Sequence, residues 1–111
     1  MLVQIAGKDF QVWFDFSRRI VKNRLGKDVI SATGGETTCT IGKFDHNTKK
    51  MVGEIFKGVA FCSKRDQFCK SIGRKVALQG ALKSMFPIEK EIRRSVFEQY
   101  FKQVGYPKRN R

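Results

Sequence analysis

The chain has 111 residues, 41% of them hydrophobic and only 2 of them proline, which excludes an intrinsically disordered protein and predicts one domain over residues 1–111. It carries 23 Lys and Arg residues against 10 Asp and Glu residues, so the formal net charge is +13. No apolar run approaches the roughly 20 residues that a membrane span needs, and the N-terminus lacks a signal-peptide pattern, so a cytoplasmic protein is expected.

The positive charge is spread along the chain, which favours a folded basic face over a disordered basic arm. Such an excess of cations raises the local concentration of anions. The expected partner is therefore nucleic acid, a nucleotide or an acidic protein surface. A solvated basic surface without a ligand is the alternative.

The first half of the sequence predicts consecutive β-strands. Residues 3–5 are followed by a turn, and residues 10–16 then alternate apolar and polar side chains with period two, as in a strand with one buried face. Trp13 falls on the opposite face from the phenylalanines, where it could stack on a base or cover a partner surface. Packing beneath a loop or the terminal segment is the favoured interpretation of this tryptophan.

Residues 17–25 surround an apolar pair with four cations, which are Arg18, Arg19, Lys22 and Arg24. The sequence favours a strand that reverses around residues 23–26, with a short helix ending at Gly26 as the alternative. Either arrangement would form a compact patch that contacts phosphate. Residues 28–33, 36–44 and 51–62 are predicted as further strands, and the short turns between them exclude a parallel sheet.

The second half predicts two helices. Residues 64–84 follow Ser63, which suits a helix N-cap and places Lys64 and Arg65 in the first turn, where the helix dipole disfavours cations. This unfavourable placement suggests a ligand, with solvated side chains that bind no ligand as the equal alternative. Residues 88–104 form the second predicted helix after Pro87, and residues 107–111 form a basic tail. The fold class is therefore α+β, with an antiparallel β-meander of four to five strands over residues 1–62 and two C-terminal helices.

The first helix has three predicted surfaces. Phe68, Ile72 and Val76 belong to the side expected to enter the core. Small residues share another face and predict close approach of the sheet, the second helix or a second copy of the chain. This small-residue face contains Gly73, Ala77, Gly80 and Ser84. The third surface is basic and extends the patch of cations.

Binding of phosphate is assigned to eight side chains from the hairpin and the first helix. They are Arg18, Arg19, Lys22, Arg24, Lys64, Arg65, Arg74 and Lys75.

Catalytic and metal-binding patterns are weak. The single histidine, His46, lies in a predicted turn, and no nucleophile, base and acid can be assembled around it, so an enzyme is not expected. Cys39, His46, Cys62 and Cys69 could supply four zinc ligands, but their spacing differs from that of zinc fingers. Buried free thiols are the favoured interpretation, without a disulfide framework, a metal or a cofactor.

One stretch carries a family resemblance. From the end of the last strand into the first helix, the residues that carry it are Ala60, Cys62, Asp66, Phe68, Ile72, Gly73, Arg74, Lys75, Ala77, Leu78, Ala81 and Leu82. Over residues 60–82 the chain resembles small phage-encoded accessory proteins of an uncharacterised family, although Gly80 stands where that pattern often has Arg. The resemblance implies a phage protein acting in the cytoplasm of its bacterial host. Proteins of this kind are often regulators or antagonists of host defence.

Three functional hypotheses follow. The first is a non-enzymatic, phage-encoded protein that binds a phosphate-rich ligand, most simply nucleic acid. The second is a counter-defence protein that inhibits a host nuclease complex, as anti-CRISPR proteins do, or captures a nucleotide signal at the helix N-terminus. The third is a structural phage component that forms an oligomer, such as a homodimer, through the small-residue face.

Overall fold

A computed structural model describes residues 1–85 and 89–105 of the chain. Six strands precede two helices over these ranges, which confirms the predicted α+β arrangement. The strands are β1 (Leu2–Ile5), β2 (Lys8–Ser17), β3 (Ile20–Lys22), β4 (Asp28–Ile30), β5 (Glu36–Asp45) and β6 (Lys50–Phe61). The helices are α1 (Lys70–Ser84) and α2 (Lys90–Val104). Neither described helix is long and apolar enough to cross a membrane.

Four strands form an antiparallel sheet in the order β1-β2-β5-β6. The short strands β3 and β4 leave this sheet and pair only with each other, as a hairpin inserted between β2 and β5. The prediction of strands in continuous succession is therefore wrong at this point. The reversal around residues 23–26 is a β-hairpin, as favoured, rather than a short helix.

The period-two pattern of β2 sets the two faces of the sheet. Phe10 and Val12 are buried, and the partner strand β5 contributes Cys39 and Ile41 to the same face. Phe14 continues this row and packs its ring 5.9 Å from the ring of Tyr100 on α2. Both helices cover this face, so the opposite face of the sheet remains open.

The small-residue face of α1 packs on the sheet. A Cβ atom at Gly58 of β6 would overlap the carbonyl oxygen of Ala77 and the amide nitrogen of Ala81, and one at Gly73 would overlap Oγ1 of Thr37. Of the three surfaces that the sequence allowed, the sheet of the same chain is the one in contact. Ser84, at the end of the helix, donates its hydroxyl to the carbonyl of Ala81 at 2.7 Å.

Helix α1 begins at Lys70, six residues later than predicted, with Cys69 as the N-cap. The preceding segment bonds to residues 32–34 instead of continuing the helix: Gly34 N–H donates to Asp66 O at 3.1 Å, and Phe68 N–H donates to Ala32 O at 2.9 Å. The prediction that Ser63 caps the helix is therefore wrong. Its hydroxyl accepts from Arg65 N–H at 3.3 Å within a turn.

The predicted core side of α1 is wrong for Ile72 and Val76, although Leu78 and Leu82, which were also predicted to be apolar core residues, are buried. Ile72 and Val76 are 64% and 46% exposed, because the close contact of the glycines with the sheet rotates them outward. Phe68 lies in the segment before the helix. The buried residues of α1 are Ala77, Leu78, Ala81 and Leu82.

Helix α2 closes one edge of the sheet. The side chain of Gln99 accepts from Gln4 N–H at 2.7 Å and donates to Gln4 O at 2.9 Å, and Gln103 donates to Leu2 O at 2.7 Å. Three outward backbone groups of β1, the N–H and C=O of Gln4 and the C=O of Leu2, are thereby satisfied. The predicted helix break at Pro87 and the predicted basic tail lie outside the described residues.

Candidate functional site

Positive charge on this protein is largely unpaired. Within residues 1–85 and 89–105 one ion pair joins a lysine or arginine to a carboxylate, Lys22 with Asp28 at 3.5 Å, and the His46 ring contacts Asp9 at 2.6 Å. The other described lysines and arginines therefore have no carboxylate as a direct partner. Because they are not neutralised, they remain available to an external anion.

The base of the β3–β4 hairpin brings distant cations together. Ser31 N–H donates to Arg19 O at 2.7 Å, and Arg18 Nη2 donates to Ser31 O at 2.9 Å. A Cβ atom built on Gly34 would lie 3.2 Å from Cδ of Arg19 and 3.7 Å from Cα of Lys64. Arg19 and Lys64 therefore flank one glycine, although they are far apart in the sequence.

Two aromatic rings support this cluster. The guanidinium carbon of Arg18 lies 4.5 Å from the centre of the Phe68 ring, and Nζ of Lys70 lies 5.0 Å from the centre of the Phe16 ring. The two rings meet edge to face at 6.2 Å. Cation–π contacts of this kind hold basic side chains without neutralising them.

We call Arg18, Arg19, Lys64 and Lys70 the hairpin-base cluster. Arg18 has a structural part in it, since its Nε is buried without a hydrogen-bond partner and its Nη2 holds the returning strand. Lys64 and Lys70 are exposed, and Arg19 is half-buried. These three side chains are the members best placed to contact a ligand.

The hairpin carries further cations to its tip. Asn23 shapes the turn, because its side-chain oxygen accepts from the N–H groups of Leu25 at 2.9 Å and Lys27 at 3.0 Å. Lys22, Arg24 and Lys27 project from this exposed loop, with Lys22 beside Asp28. The basic surface therefore runs from the base of the hairpin to its end.

Arg74, Lys75 and Trp13 are not brought into this surface. Arg74 is turned toward α2, where its Nε donates to the hydroxyl of Tyr100 at 3.1 Å, and the exposed Lys75 follows it on α1. Trp13 lies on the open face of the sheet, 54% exposed, and donates from Nε1 to Asp15 Oδ1 at 3.1 Å. The favoured interpretation of a covered Trp13 is therefore wrong, and its role in stacking remains a prediction.

Sequence reasoning left two cations, Lys27 and Lys70, out of the candidate phosphate ligands. Lys27 follows the predicted turn at residues 23–26 directly, so the sequence pattern could have placed it on the hairpin with the other cations. Lys70 joins the cluster only because the helix begins there, which is a consequence of the bonds between residues 32–34 and the segment before α1. Arg65 lies in the same segment, beside Lys64, and is exposed.

A cavity of about 260 Å³ lies where β6 ends and α1 begins. Its walls are mainly apolar and include Ala60, Phe61, Ile72 and Val76, with the thiols of Cys62 and Cys69 at the loop side. Thr37 lines it as well, and its Oγ1 is buried without a hydrogen-bond partner. The sequence did not indicate this cavity, because Ile72 and Val76 were expected to be covered.

The three thiols have different environments, and the favoured prediction of buried thiols is right for Cys39 and wrong for the exposed Cys69. Burial raises the pKa of Cys39 to about 12, so this thiol behaves as a small core residue. The pKa of Cys69 is lowered, mainly by a hydrogen bond between its thiol and the Ser71 hydroxyl at 3.2 Å. The Cys62 thiol donates to backbone carbonyls, the nearest being Asp66 O at 3.4 Å.

The described residues contain no group of three or more His, Cys, Asp or Glu side chains that could hold a metal ion. His46 contacts Asp9 at one end of the sheet, and Cys62 and Cys69 lie at the opposite end. The two candidate features of the described residues are therefore the hairpin-base cluster, with its two aromatic rings, and the apolar cavity beside α1. No protein-family model, curated protein or solved structure gives a significant match to this chain.

Proposed function

We propose that this is a small, basic, non-enzymatic protein that binds a phosphate-rich ligand, most simply nucleic acid. The observation that carries the proposal is the convergence of Arg19, Lys64 and Lys70 at the hairpin base without carboxylate partners. Phosphate contacts position such a protein on a nucleic acid and carry no sequence information by themselves. Binding with little sequence preference is therefore expected.

The shape of the basic surface favours a polymer over a single nucleotide. Lys22 follows Arg19 by three positions, which corresponds to about 10 Å along the extended strand β3, and the turn that carries Arg24 lies beyond it. In a duplex each strand presents a phosphate every 3.4 Å or so of helix axis, so this length matches about three of them. The cavity beside α1 is apolar and offers no comparable set of cations to a lone phosphate group.

Salt dependence tests this proposal directly. Fluorescence anisotropy of labelled 20-nucleotide single- and double-stranded DNA and RNA, from 50 to 300 mM NaCl, gives the slope of log K against log [salt]. Each phosphate contact contributes about 0.7 to 0.9 to that slope, so four or more contacts predict a slope of about −3 or steeper. A protein that binds none of these probes at about 50 mM salt, where such contacts are strong, would contradict the proposal.

Matched variants locate the interface. Arg19→Glu with Lys64→Glu should weaken binding by tenfold or more at low salt and flatten the slope by about 1.5 or more, because two phosphate contacts are lost. Lys90→Glu with Arg94→Glu makes the same change in charge at the far end of the helical layer, about 20 Å along α1 from Lys70. An equal loss in both double variants would indicate net charge alone and remove the hairpin-base cluster from the proposal.

A second candidate function, counter-defence by contact with a host protein, rests on a separate observation. Exposed apolar side chains on β6 and α1 surround the cavity, and a basic nucleic-acid surface does not require them. The argument for nucleotide capture at Ser63 required a helix N-terminus at that residue, and the helix begins at Lys70 instead. An oligomer through the small-residue face loses its basis too, since Gly73 and Ala77 contact the sheet of their own chain.

A further inference from the structure

The two edges of the sheet differ in how their outward backbone groups are hydrogen-bonded. On β1, side chains from α2 bond to the N–H and C=O groups of Gln4 and to the C=O group of Leu2. On β6, no side chain among the described residues bonds to the outward backbone groups, although β6 is the longest strand described. An exposed strand edge is a template for pairing with another chain.

The hydrogen-bond register shows which groups are free. Cys62 N–H donates to Gly35 O at 2.8 Å, so the alternation of an antiparallel pair directs Ala60 and Gly58 toward β5 as well. The N–H and C=O groups of Lys57, Val59 and Phe61 therefore point away from the sheet. The same alternation on β1 identifies Leu2 and Gln4 as outward, in agreement with their bonds to α2.

This edge is well suited to strand addition. Residues 55–61 contain one charged side chain, Lys57, and the irregular pairing lies further back, at Gly42 and Lys43, near the left-handed Gly53. Natural proteins usually block an exposed edge with bulges and charged side chains. The second half of β6 has no bulge and one charged residue, so its edge can still pair with another strand.

Exposed apolar side chains flank the edge on both sides. Phe61 is 79% exposed, and Ile72 and Val76 stand beside it on α1 around the cavity. At about 260 Å³ the cavity is smaller than the 300–1,000 Å³ typical of small-molecule sites, so it suits a single large side chain. A strand added to β6 would direct every second side chain toward α1 and its cavity.

We propose that this edge is a docking groove for an extended, acidic segment of a partner protein, which adds to the sheet as a fifth strand. We call it the β6 groove, formed by Lys57, Val59 and Phe61 of β6 with Ile72 and Val76 of α1. Backbone hydrogen bonds to β6 hold the segment, and one large apolar side chain enters the cavity. The acidic character follows from charge complementarity, because Lys57 lies in the edge and Lys64 and Arg65 follow its end.

Selection from a random library of displayed ten-residue peptides tests the groove with the full chain. The expected enriched peptides are acidic, lack proline in their centre and share one Phe, Leu or Ile. Their affinity is then measured by fluorescence anisotropy, and amide hydrogen exchange should show slower exchange at Val59 and Phe61 in the complex.

Two variants, each with a control, separate docking from folding. Val59→Pro removes an outward N–H and leaves the pairing with β5 intact, whereas Leu2→Pro makes the same change on the opposite edge. Val76→Glu repels an acidic segment at the cavity, and Lys75→Gln makes the same change of one charge unit at an exposed position about 100° around α1 from Val76. Both groove variants should weaken peptide binding by tenfold or more, and both controls should stay within about threefold.

Three results would overturn the proposal: no enriched peptide, equal binding by the groove variants and their controls, or another occupant. If light scattering shows a dimer, and the amides of Val59 and Phe61 exchange slowly before any peptide is added, the edge pairs with a second copy of the chain. Protection of these amides by an oligonucleotide alone would assign it to nucleic acid. Because the β6 groove and the hairpin-base cluster carry different variants, either proposal can fail without the other.

Discussion

At the scale of single residues, two glycines determine how closely α1 approaches β6. A Cβ atom on Gly58 would overlap backbone atoms of α1, the Ala77 carbonyl oxygen and the Ala81 amide nitrogen among them. A Cβ atom on Gly80 would lie 3.4 Å from Cα of Gly58, an ordinary van der Waals distance. The two positions therefore differ in their tolerance of one methyl group, although they face each other.

Gly58→Ala should lower the free energy of unfolding by about 1–3 kcal/mol or more, because overpacking against a backbone cannot be relieved by a rotamer change. Gly80→Ala, the matched control, should be neutral or raise it by up to about 1 kcal/mol, because alanine is the better helix former. Urea unfolding monitored by circular dichroism gives both values. Equal stability of the two variants would show that α1 does not pack on β6 through this pair.

At the scale of elements, the hydrogen bonds that tie the β3–β4 hairpin to the other described residues lie at its base. Arg18 and Arg19 bond to Ser31, while the residues of the hairpin itself are almost all exposed. It therefore buries little apolar surface and contributes little to stability, yet it presents Lys22, Arg24 and Lys27. The proposed binding function would account for these cations, which the fold itself does not require.

Replacing residues 20–30 by Asn-Gly should leave the fold intact, because Arg19 and Ser31 are already hydrogen-bonded and a two-residue turn can join them. The thermal midpoint should change by only a few degrees, whereas the salt slope of nucleic-acid binding should flatten by about 2, as three cations are removed. Calorimetry and anisotropy provide the two measurements. Unchanged nucleic-acid binding would exclude the hairpin tip and restrict the interface to its base.

Local patterns predicted some of these elements and failed at others for identifiable reasons. The alternation around Phe10 and Val12 identified β2 and its buried face, because that pattern is local. The start of α1 could not be predicted, since it depends on bonds between Ala32, Gly34 and the segment before the helix. Nothing local distinguishes β3 and β4 from strands that join the sheet.

The candidate site was predictable in kind but not in arrangement. The excess of cations was visible, and Arg18 and Arg19 were expected to lie close together because they are neighbours in the chain. The approach of Lys64 to Arg19 across Gly34 is a tertiary contact that composition cannot show. Helical periodicity assigned Ile72 and Val76 to the core, but the glycine contact with β6 was the stronger constraint, and the exposure of both side chains revealed the β6 groove.

At the scale of the whole molecule, the formal charge is +13, and the described residues contain one ion pair between a lysine or arginine and a carboxylate. Like charges in a compact state repel, and the unfolded chain relieves part of that repulsion by spreading them apart. Added salt screens the repulsion, since the Debye length falls from about 30 Å at 0.01 M to about 10 Å at 0.1 M. Stability should therefore depend on salt in the opposite direction to nucleic-acid affinity.

The thermal midpoint should rise by a few degrees between 20 and 500 mM NaCl, equivalent to roughly 1 kcal/mol for a chain of this size. Over the same range the affinity for an oligonucleotide should fall steeply, because released counterions no longer favour the complex. The variant with Lys90→Glu and Arg94→Glu lowers the net charge by four, so its midpoint should respond less to salt. A wild-type midpoint that falls as salt is added would mean that attractive ion pairs outweigh repulsion in the folded state. The cations would then be structural, and the view that they are held ready for an external phosphate ligand would have to be abandoned.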